Sequence, residues 1–235
     1  MNKYYAFIGD IHSQLTPALK AVDYCYREGL TPIFLGDLFD SRTYTSETVE
    51  VWELVKQTQT DLNAVVLMSN HQDKLRRWLV GNPLDLSRSP ELQRSILEFG
   101  EGQVNLQELN NWLHSLPYGF VFKDQNDLEY RACHAFFSEL IRIPKKVGNR
   151  GFLVRFEHIT RLTRNWMLYG NKTSDNRRIH WWEDPNPFDW VRVAGHYHTV
   201  FIDIPGKKLV LDANCGNPGG KLGLYEVESK TLVLF

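Results

Sequence analysis

Cysteine is scarce in this 235-residue chain. Cys25, Cys133 and Cys215 are the only three, and their spacing fits neither a thiolate metal site nor a disulfide framework. Their apolar or glycine-rich surroundings suit a reducing compartment. Charge of one sign is also lacking: the formal net charge of −1 excludes a protein that binds polyanions over its whole surface. No apolar run approaches membrane-spanning length, and there is no internal repeat or low-complexity segment. The stretch MNKYYAFIGD alternates like a strand, whereas a signal peptide would carry an apolar core and a cleavage site. A cytoplasmic, soluble globular protein is therefore expected, with one domain over 1–235 and no membrane partner.

What is present begins with Tyr4 to Ile8, read as a first strand running into the polar turn GDIHSQ. Leu15, Ala18, Leu19, Val22 and Tyr26 then recur at helical spacing. TPIFL is a second buried strand ending in GDLFD, Val51, Leu54 and Val55 mark a second helix, and AVVLM is a third strand ending in SNHQ. Strand and helix in alternation predict a parallel sheet covered by helices. Two more helices are expected. One has Pro90 in its first turn and buries Leu92, Ile96 and Phe99; the other has Asn105 and Glu108 at capping-box spacing. YGFVF and EYRAC bracket a hairpin turn, KDQND, and the chain closes on WVRVAG, TVFIDI, KLVLDA, KLGLYEV and TLVLF. Between them, 136–189 is rich in Arg, Lys and Trp, with weak periodicity, and is read as an inserted cap.

Polar residues collect at the strand ends. The first strand gives Asp10 and His12, the second Asp37 and Asp40, the third Asn70 and His71, EYRAC gives His134, and WVRVAG gives His196 and His198. Taken singly, most have an ordinary explanation. A Gly-Asp after a strand is usually a turn, and His12 or His134 alone fits a helix cap or a core histidine. Five strand ends in a row make coincidence a poor account, because the crevice beyond the carboxyl ends of α/β strands is where ligands bind. His114, in an amphipathic helix, and His158, in the cap, are taken as structural or surface residues. Carboxylate, carboxamide and imidazole without thiolate suit manganese foremost, with iron or zinc as alternatives. The ligands are too many for one tetrahedral ion. Two divalent ions sharing a carboxylate, ~3.5–4 Å apart, account for the number and are a recurrent solution for phosphate-ester hydrolysis.

GDIH, GDLFD, SNHQ, CHA and GHYH resemble, in order, the DxH, GDxxDRG, GNHD/E, HAG and GHx(H) motifs of calcineurin-like metallophosphoesterases. WLHSLPYGFVF and CGNPGGKLGLYEV are similar to segments of the phosphoprotein-phosphatase branch. NHQDKLRRWLVGN, and more loosely WMLYGNKTSDNRRIHWW, resemble bacterial polynucleotide kinase-phosphatase and bis(5′-nucleosyl)-tetraphosphatase-like phosphatases. The resemblance implies an α/β/β/α sandwich of two mixed sheets flanked by helices. It implies that Asp10 and His12 bind the first metal, Asp37 bridges both, Asn70, His134 and His196 bind the second, and His198 can complete the first. It implies that His71 stays free of metal as general acid, oriented by Asp40, while a hydroxide activated by two metals attacks phosphorus. Arg42, and more weakly Arg178, are candidates for holding the phosphoryl oxygens.

Several positions depart from the family pattern. Asp-Arg-Gly becomes DSR, which displaces Arg42 by one residue. Ser69 stands for a glycine and is tolerable if its φ is negative. Gln72 stands for an acid, so general-acid behaviour is expected to be weaker or acid-shifted, with the amide able only to orient His71. Phe136 replaces a glycine and is expected to narrow the pocket or stack on a base. The expected activity is phosphomonoester hydrolysis on a phosphoprotein or nucleotide-type phosphate. The alternatives are dinucleoside polyphosphate hydrolysis and a metal-scaffolded binding module with little turnover. Nucleic-acid binding by the Trp-rich stretch is not favoured, because Trp is ordinary packing material.

Overall fold

The computed structural model describes residues 4–41, 46–144, 147, 151–173, 175 and 177–235. Strands β1 (Tyr5–Ile8), β2 (Thr31–Phe34) and β3 (Val65–Val66) run parallel. They alternate with helices α1 (Leu15–Glu28) and α2 (Thr48–Leu62), as the apolar periodicity predicts. Two late strands, β10 (Gly223–Glu226) and β11 (Thr231–Leu234), extend this sheet on the β1 side, giving the order β11-β10-β1-β2-β3.

A second sheet has the order β6-β4-β5-β7-β9-β8. Its strands are β4 (Gly119–Lys123), β5 (Glu129–Cys133), β6 (Phe152–Val154), β7 (Val191–Ala194), β8 (Val200–Asp203) and β9 (Lys208–Leu211). β5, β7 and β9 are parallel to one another. The fold is thus α/β, with two mixed sheets flanked by helices.

β1 shows how the sandwich is specified. All four of its side chains are buried, so it reads as an unbroken apolar run and not as an alternating one. Tyr5 and Phe7 turn inward and pack with Phe120, Phe122 and Tyr130 of the second sheet. Ala6 and Ile8 turn outward under α1 and α2, beside Ala18, Val22, Val51 and Val55.

Three more helices follow β3: α3 (Asn70–Leu79), α4 (Pro90–Glu101) and α5 (Leu106–Ser115). Pro90 opens α4, and the Asn105 side chain accepts from the backbone of Gln107 and Glu108 to cap α5. Helix α3 was not expected. Its signal was Ser69-x-x-Gln72, a capping-box spacing hidden inside a stretch that reads as motif; Ser69 Oγ accepts from the Gln72 backbone N–H. Ser69 has φ −115°, so the missing glycine costs nothing there.

The 136–189 stretch is partly woven into the body. β6 is the edge strand beside β4, and α6 (Arg161–Tyr169) sends Met167 and Leu168 into the core. Trp181 and Trp182 cover the outer face of the second sheet with Phe136, Tyr197 and Val210.

Candidate metal centre

The parallel strands of both sheets carry their polar residues at their carboxyl ends, and the structure brings these together. Asp10, His12, Asp37, Asn70, His134 and His196 are all buried. Ligand atoms of Asp10, His12 and Asp37 lie within 4.8 Å of one another, and so do those of Asp37, His134 and His196. Asp37 belongs to both clusters. Asn70 joins the second, with Oδ1 2.7 Å from His134 Nε2, and His196 Nδ1 is 3.0 Å from that same nitrogen. His134 Nε2 also lies 3.4 Å from Asp37 Oδ1, and His12 Nε2 lies 3.8 Å from Asp37 Oδ2.

The far side of each imidazole fixes its tautomer. His134 Nδ1 faces the Leu35 carbonyl at 3.1 Å, and His12 Nδ1 faces the Asp40 carbonyl at 3.2 Å. A carbonyl can only accept, so Nδ1 carries the hydrogen and Nε2 presents its lone pair to the centre. This is the outer support metal-bound histidines use.

Backbone conformation aims the groups. His12, Asp37, Asp40, His196 and His198 all have φ between 40° and 69°, in the left-handed region that costs roughly 1–2 kcal/mol per non-glycine residue. Such strain gathers at sites whose surroundings over-determine it. Glycines admit the close approaches. At Gly36, φ 120°, an added Cβ would sit 2.9 Å from His134 Nδ1, and at Gly195 one would sit 2.2 Å from Asp10 Oδ1.

The donor set fits cations. Asp10, Asp37 and Asp40 are at most 2 % exposed, and their side-chain ion pairs among the described residues are all with histidines. Buried carboxylates without a permanent positive partner cost several kcal/mol each. Burial, then Asp212 and Asp37, push the Asp10 carboxyl well above the usual range. Burial works against ionised Asp37 too, but His134, His71 and His12 outweigh it and hold that carboxyl well below the usual range. Burial, with His134 beside it, drives His196 well below the usual imidazole range. A neutral ring there is a competent ligand. Asp10 Oδ1, Asp37 Oδ1 and His196 Nε2 are buried with no hydrogen-bond partner among the described residues, as expected of atoms awaiting a cation.

His71 stands beside this group. Its Nδ1 is 2.6 Å from Asp40 Oδ2, and its Nε2 is 3.8 Å from Asp37 Oδ2. Burial alone would lower its proton affinity, but Asp37 and Asp40 reverse that and leave it raised. The Gln72 side chain finds its hydrogen bonds away from the imidazole. Its amide bonds the Leu67 carbonyl and the Leu38 N–H, tying α3 to neighbouring strand ends.

Two other expected residues fall elsewhere. His198 is exposed and belongs to neither cluster; its ring Nδ1 is 3.4 Å from Asp212 Oδ2. Arg178 is exposed, with its charge felt by His196 and Tyr197. Arg42 lies outside the described residues. His114 and His158 lie away from the centre, bonded to the Asn110 carbonyl and the Arg155 N–H.

Ser95 and Asp212 escaped the sequence reading. Ser95 Oγ donates to Asp40 Oδ1 at 2.7 Å and accepts from the Asp40 N–H at 3.1 Å. A serine on the inward face of α4, between Leu92 and Phe99, was the available signal. Asp212 follows β9 and is completely buried, accepting the His198 N–H at 2.6 Å. The strand-end rule that found the other acids would have found it.

A model of the calcineurin-like phosphoesterase family matches residues 4–224. The chain belongs to the calcineurin-like phosphoesterase family. Metal-dependent phosphoester hydrolysis is the chemistry of that family, and the clusters supply groups able to hold the metal. No curated protein matches this phosphoesterase. Among solved structures it is similar to a "putative diadenosine tetraphosphatase", with 19 % identity, TM-score 0.59, and coverage of 100 % of this chain and 94 % of that one. It is also similar to a cold-active protein-tyrosine phosphatase of a psychrophilic Shewanella species, with 16 % identity, TM-score 0.52, and 100 % and 80 % coverage. A protein serine/threonine phosphatase from Saccharomyces cerevisiae matches at 13 % identity and TM-score 0.54, with 100 % and 79 % coverage. At these identities the structural likeness concerns the fold.

Proposed function

We propose that this phosphoesterase hydrolyses phosphomonoesters, of the phosphoprotein or nucleotide type, with two divalent cations and manganese foremost. Asp10 and His12 would hold one cation, Asn70, His134 and His196 the other, and Asp37 would serve both. His198 would approach the first cation only from its exposed position beside Asp212. When bound, the cations supply Lewis acidity that makes water nucleophilic near neutral pH and offsets charge on the phosphoryl oxygens.

The single observation carrying the reading is the placement of His71. Asp40 accepts from Nδ1–H at 2.6 Å and fixes that tautomer. Nε2 then points toward Asp37, and when the ring is doubly protonated it can donate its Nε2 proton to a leaving alkoxide, returning to the Nδ1–H form. Ser95 holds Asp40 in turn. Arg178 is the described candidate for binding phosphoryl oxygens, and Arg42, from DSR, is the other. The protein would act as a single domain over 1–235, with 136–189 forming its cap. Three buried free cysteines support a reducing, cytoplasmic setting.

Dinucleoside polyphosphate hydrolysis is the second reading, favoured by the tetraphosphatase neighbour at TM-score 0.59. Supplying manganese and comparing p-nitrophenyl phosphate with diadenosine tetraphosphate separates the two. Monoester turnover that collapses in His71→Ala is the expected result. Turnover that His71→Ala leaves untouched, or no turnover of any phosphoester with manganese, iron or zinc, ends the proposal.

A further inference from the structure

A hollow of about 370 Å³ lies beside helix α6, walled by Leu162, Asn165, Trp166, Tyr169, Gly170 and Asn171. Its volume lies in the range of small-molecule sites. Helix α6 makes one side. Thr163, Met167 and Leu168 face the core, while Leu162, Trp166 and Tyr169, at i, i+4 and i+7, turn to the hollow. Leu162 is 54 % exposed, and the Trp166 and Tyr169 rings are half-buried. The wall therefore combines two aromatic rings with two side-chain carboxamides.

Two buried residues, Phe136 and Tyr197, link the wall of this hollow to the chain segments that carry His134 and His196. The Phe136 N–H, two residues beyond His134, donates to the Trp166 carbonyl at 3.1 Å. The Phe136 ring meets Trp166 edge-on, at 6.2 Å and 90°. Phe136 is thus a buried prop for Trp166 and leaves stacking to it. On the other side, a Cβ on Gly170 would lie 2.6 Å from the hydroxyl of Tyr197, the neighbour of His196. That hydroxyl is buried without a hydrogen-bond partner among the described residues. The Asn171 backbone carbonyl accepts the Ile179 N–H at 3.0 Å, and its side-chain oxygen accepts the Lys172 N–H at 2.8 Å and leaves its amide hydrogens to a ligand. Lys172 pairs with Arg178 in a backbone bridge, so the rim also carries the positive charge felt at His196.

We propose that this hollow binds the nucleobase of a nucleotide whose phosphate is held at the metal centre. Aromatic faces suit any base, carboxamides can pair with base edges, and Lys172 and Arg178 put positive charge on the rim. The inference rests on the phosphoesterase reading and narrows its substrate class. A peptide side chain would not need carboxamides beside the two aromatic rings.

The test compares adenosine 5′-monophosphate with ribose 5-phosphate, which has the same sugar and phosphate but no base. Turnover is measured with manganese, and binding is measured by calorimetry on manganese-loaded His71→Ala protein. The expected result is a preference for the nucleotide in kcat/KM and in Kd. In Trp166→Ala the preference falls roughly 10- to 100-fold, Trp166→Phe keeps most of it, and Leu162→Ser, at an exposed position, reduces it several-fold. Equal use of both phosphates by the unmodified protein overturns the inference and leaves the phosphoesterase reading standing. So does an equal loss on both in Trp166→Ala. A phosphotyrosine peptide preferred over the nucleotide, with the same Trp166 dependence, also overturns it. Trp166-dependent nucleotide binding without turnover of any phosphoester upholds the base site and removes the enzyme reading.

Discussion

At the strand ends, imidazoles lie against buried carboxylates; on the outer face of the second sheet, a buried arginine lies against aromatic rings, several of them from the 136–189 stretch. Arg192 is buried and stands 4.5 to 5.7 Å from the rings of Phe136, Trp181, Phe188 and Trp190. Lys208, also buried, donates to the Trp182 carbonyl. Both regions bury charge. The aromatic cage surrounds its cations with ring faces and needs no added ion, although Arg192 Nε and Trp181 Nε1 lack a hydrogen-bond partner among the described residues. The strand-end cluster is left short of positive charge and has atoms without partners. One region faces its buried cations with ring faces, and the other calls for added positive charge. Substitutions should therefore act oppositely on stability and activity in the two places.

The sharpest break comes at Asp37, the residue common to both clusters. Asp37→Asn should cut turnover roughly a thousandfold or more, since bound cations contribute several kcal/mol of charge stabilisation. Without metal, the same change removes a buried charge. In a chelator the neighbouring histidines still favour the Asp37 carboxylate against the cost of its burial, so the Asp37→Asn midpoint of thermal unfolding should fall only slightly, while manganese stabilises the parent far more than the variant. A large loss of chelated stability would mean that Asp37 is an ordinary structural acid. His71→Ala is next, with turnover reduced about 10²–10⁴-fold and manganese affinity retained, because no metal is assigned to that ring.

The two regions also differed in how far their sequences could be read. Strand ends announce themselves: an apolar run stops and a Gly-Asp or Asn-His appears, so Asp10, Asp37, Asn70, His134 and His196 were legible before any fold was known. Position along a strand fixes which edge of the sheet a residue reaches, and parallel strands share that edge. Helix α3 was lost because its cap, Ser69 with Gln72, occupies the same letters as the motif. Ser95 depends on which turn of α4 meets Asp40, which no local pattern records. The stretch from 136 to 189 was opaque for a related reason. Its tryptophans take their partners from β7 and from the Tyr197 loop, and such long-range partners leave no period of 2 or 3.6 in the chain.

Asp40 tests whether the centre works through support as well as ligands. Asp40→Asn keeps a hydrogen-bond acceptor for His71 Nδ1–H but removes a charge that raises the proton affinity of the ring. Turnover should drop about 10–100-fold. The pH profile carries the more specific signal. A general acid acts while protonated, so the activity it supports is present below its pKa and is lost as pH rises through that value. His71 is raised by Asp37 and Asp40 against the opposing effect of burial. Removing the Asp40 charge lowers the value, so the alkaline limb of kcat should move to lower pH. An unmoved limb would take Asp40 out of the proton-transfer chain.

The smallest effect on chemistry, and a large one on stability, is expected at Trp182, which fills the outer face of the second sheet and meets Tyr197 edge-on at 4.7 Å. Trp182→Ala opens a cavity worth roughly 3–5 kcal/mol, a fall in midpoint on the order of 6–20 °C for a chain of this size. Its kcat on a small phosphoester, measured below the transition, should stay closer to the parent value than that of Asp40→Asn. This is the converse of Asp37→Asn, which loses activity and keeps most of its chelated stability. Trp182→Ala losing as much activity as Asp37→Asn at a temperature where it remains folded would erase the distinction. The aromatic layer would then be part of the reacting centre, and the sheet that holds His134 and His196 would depend on its outer cover for their alignment.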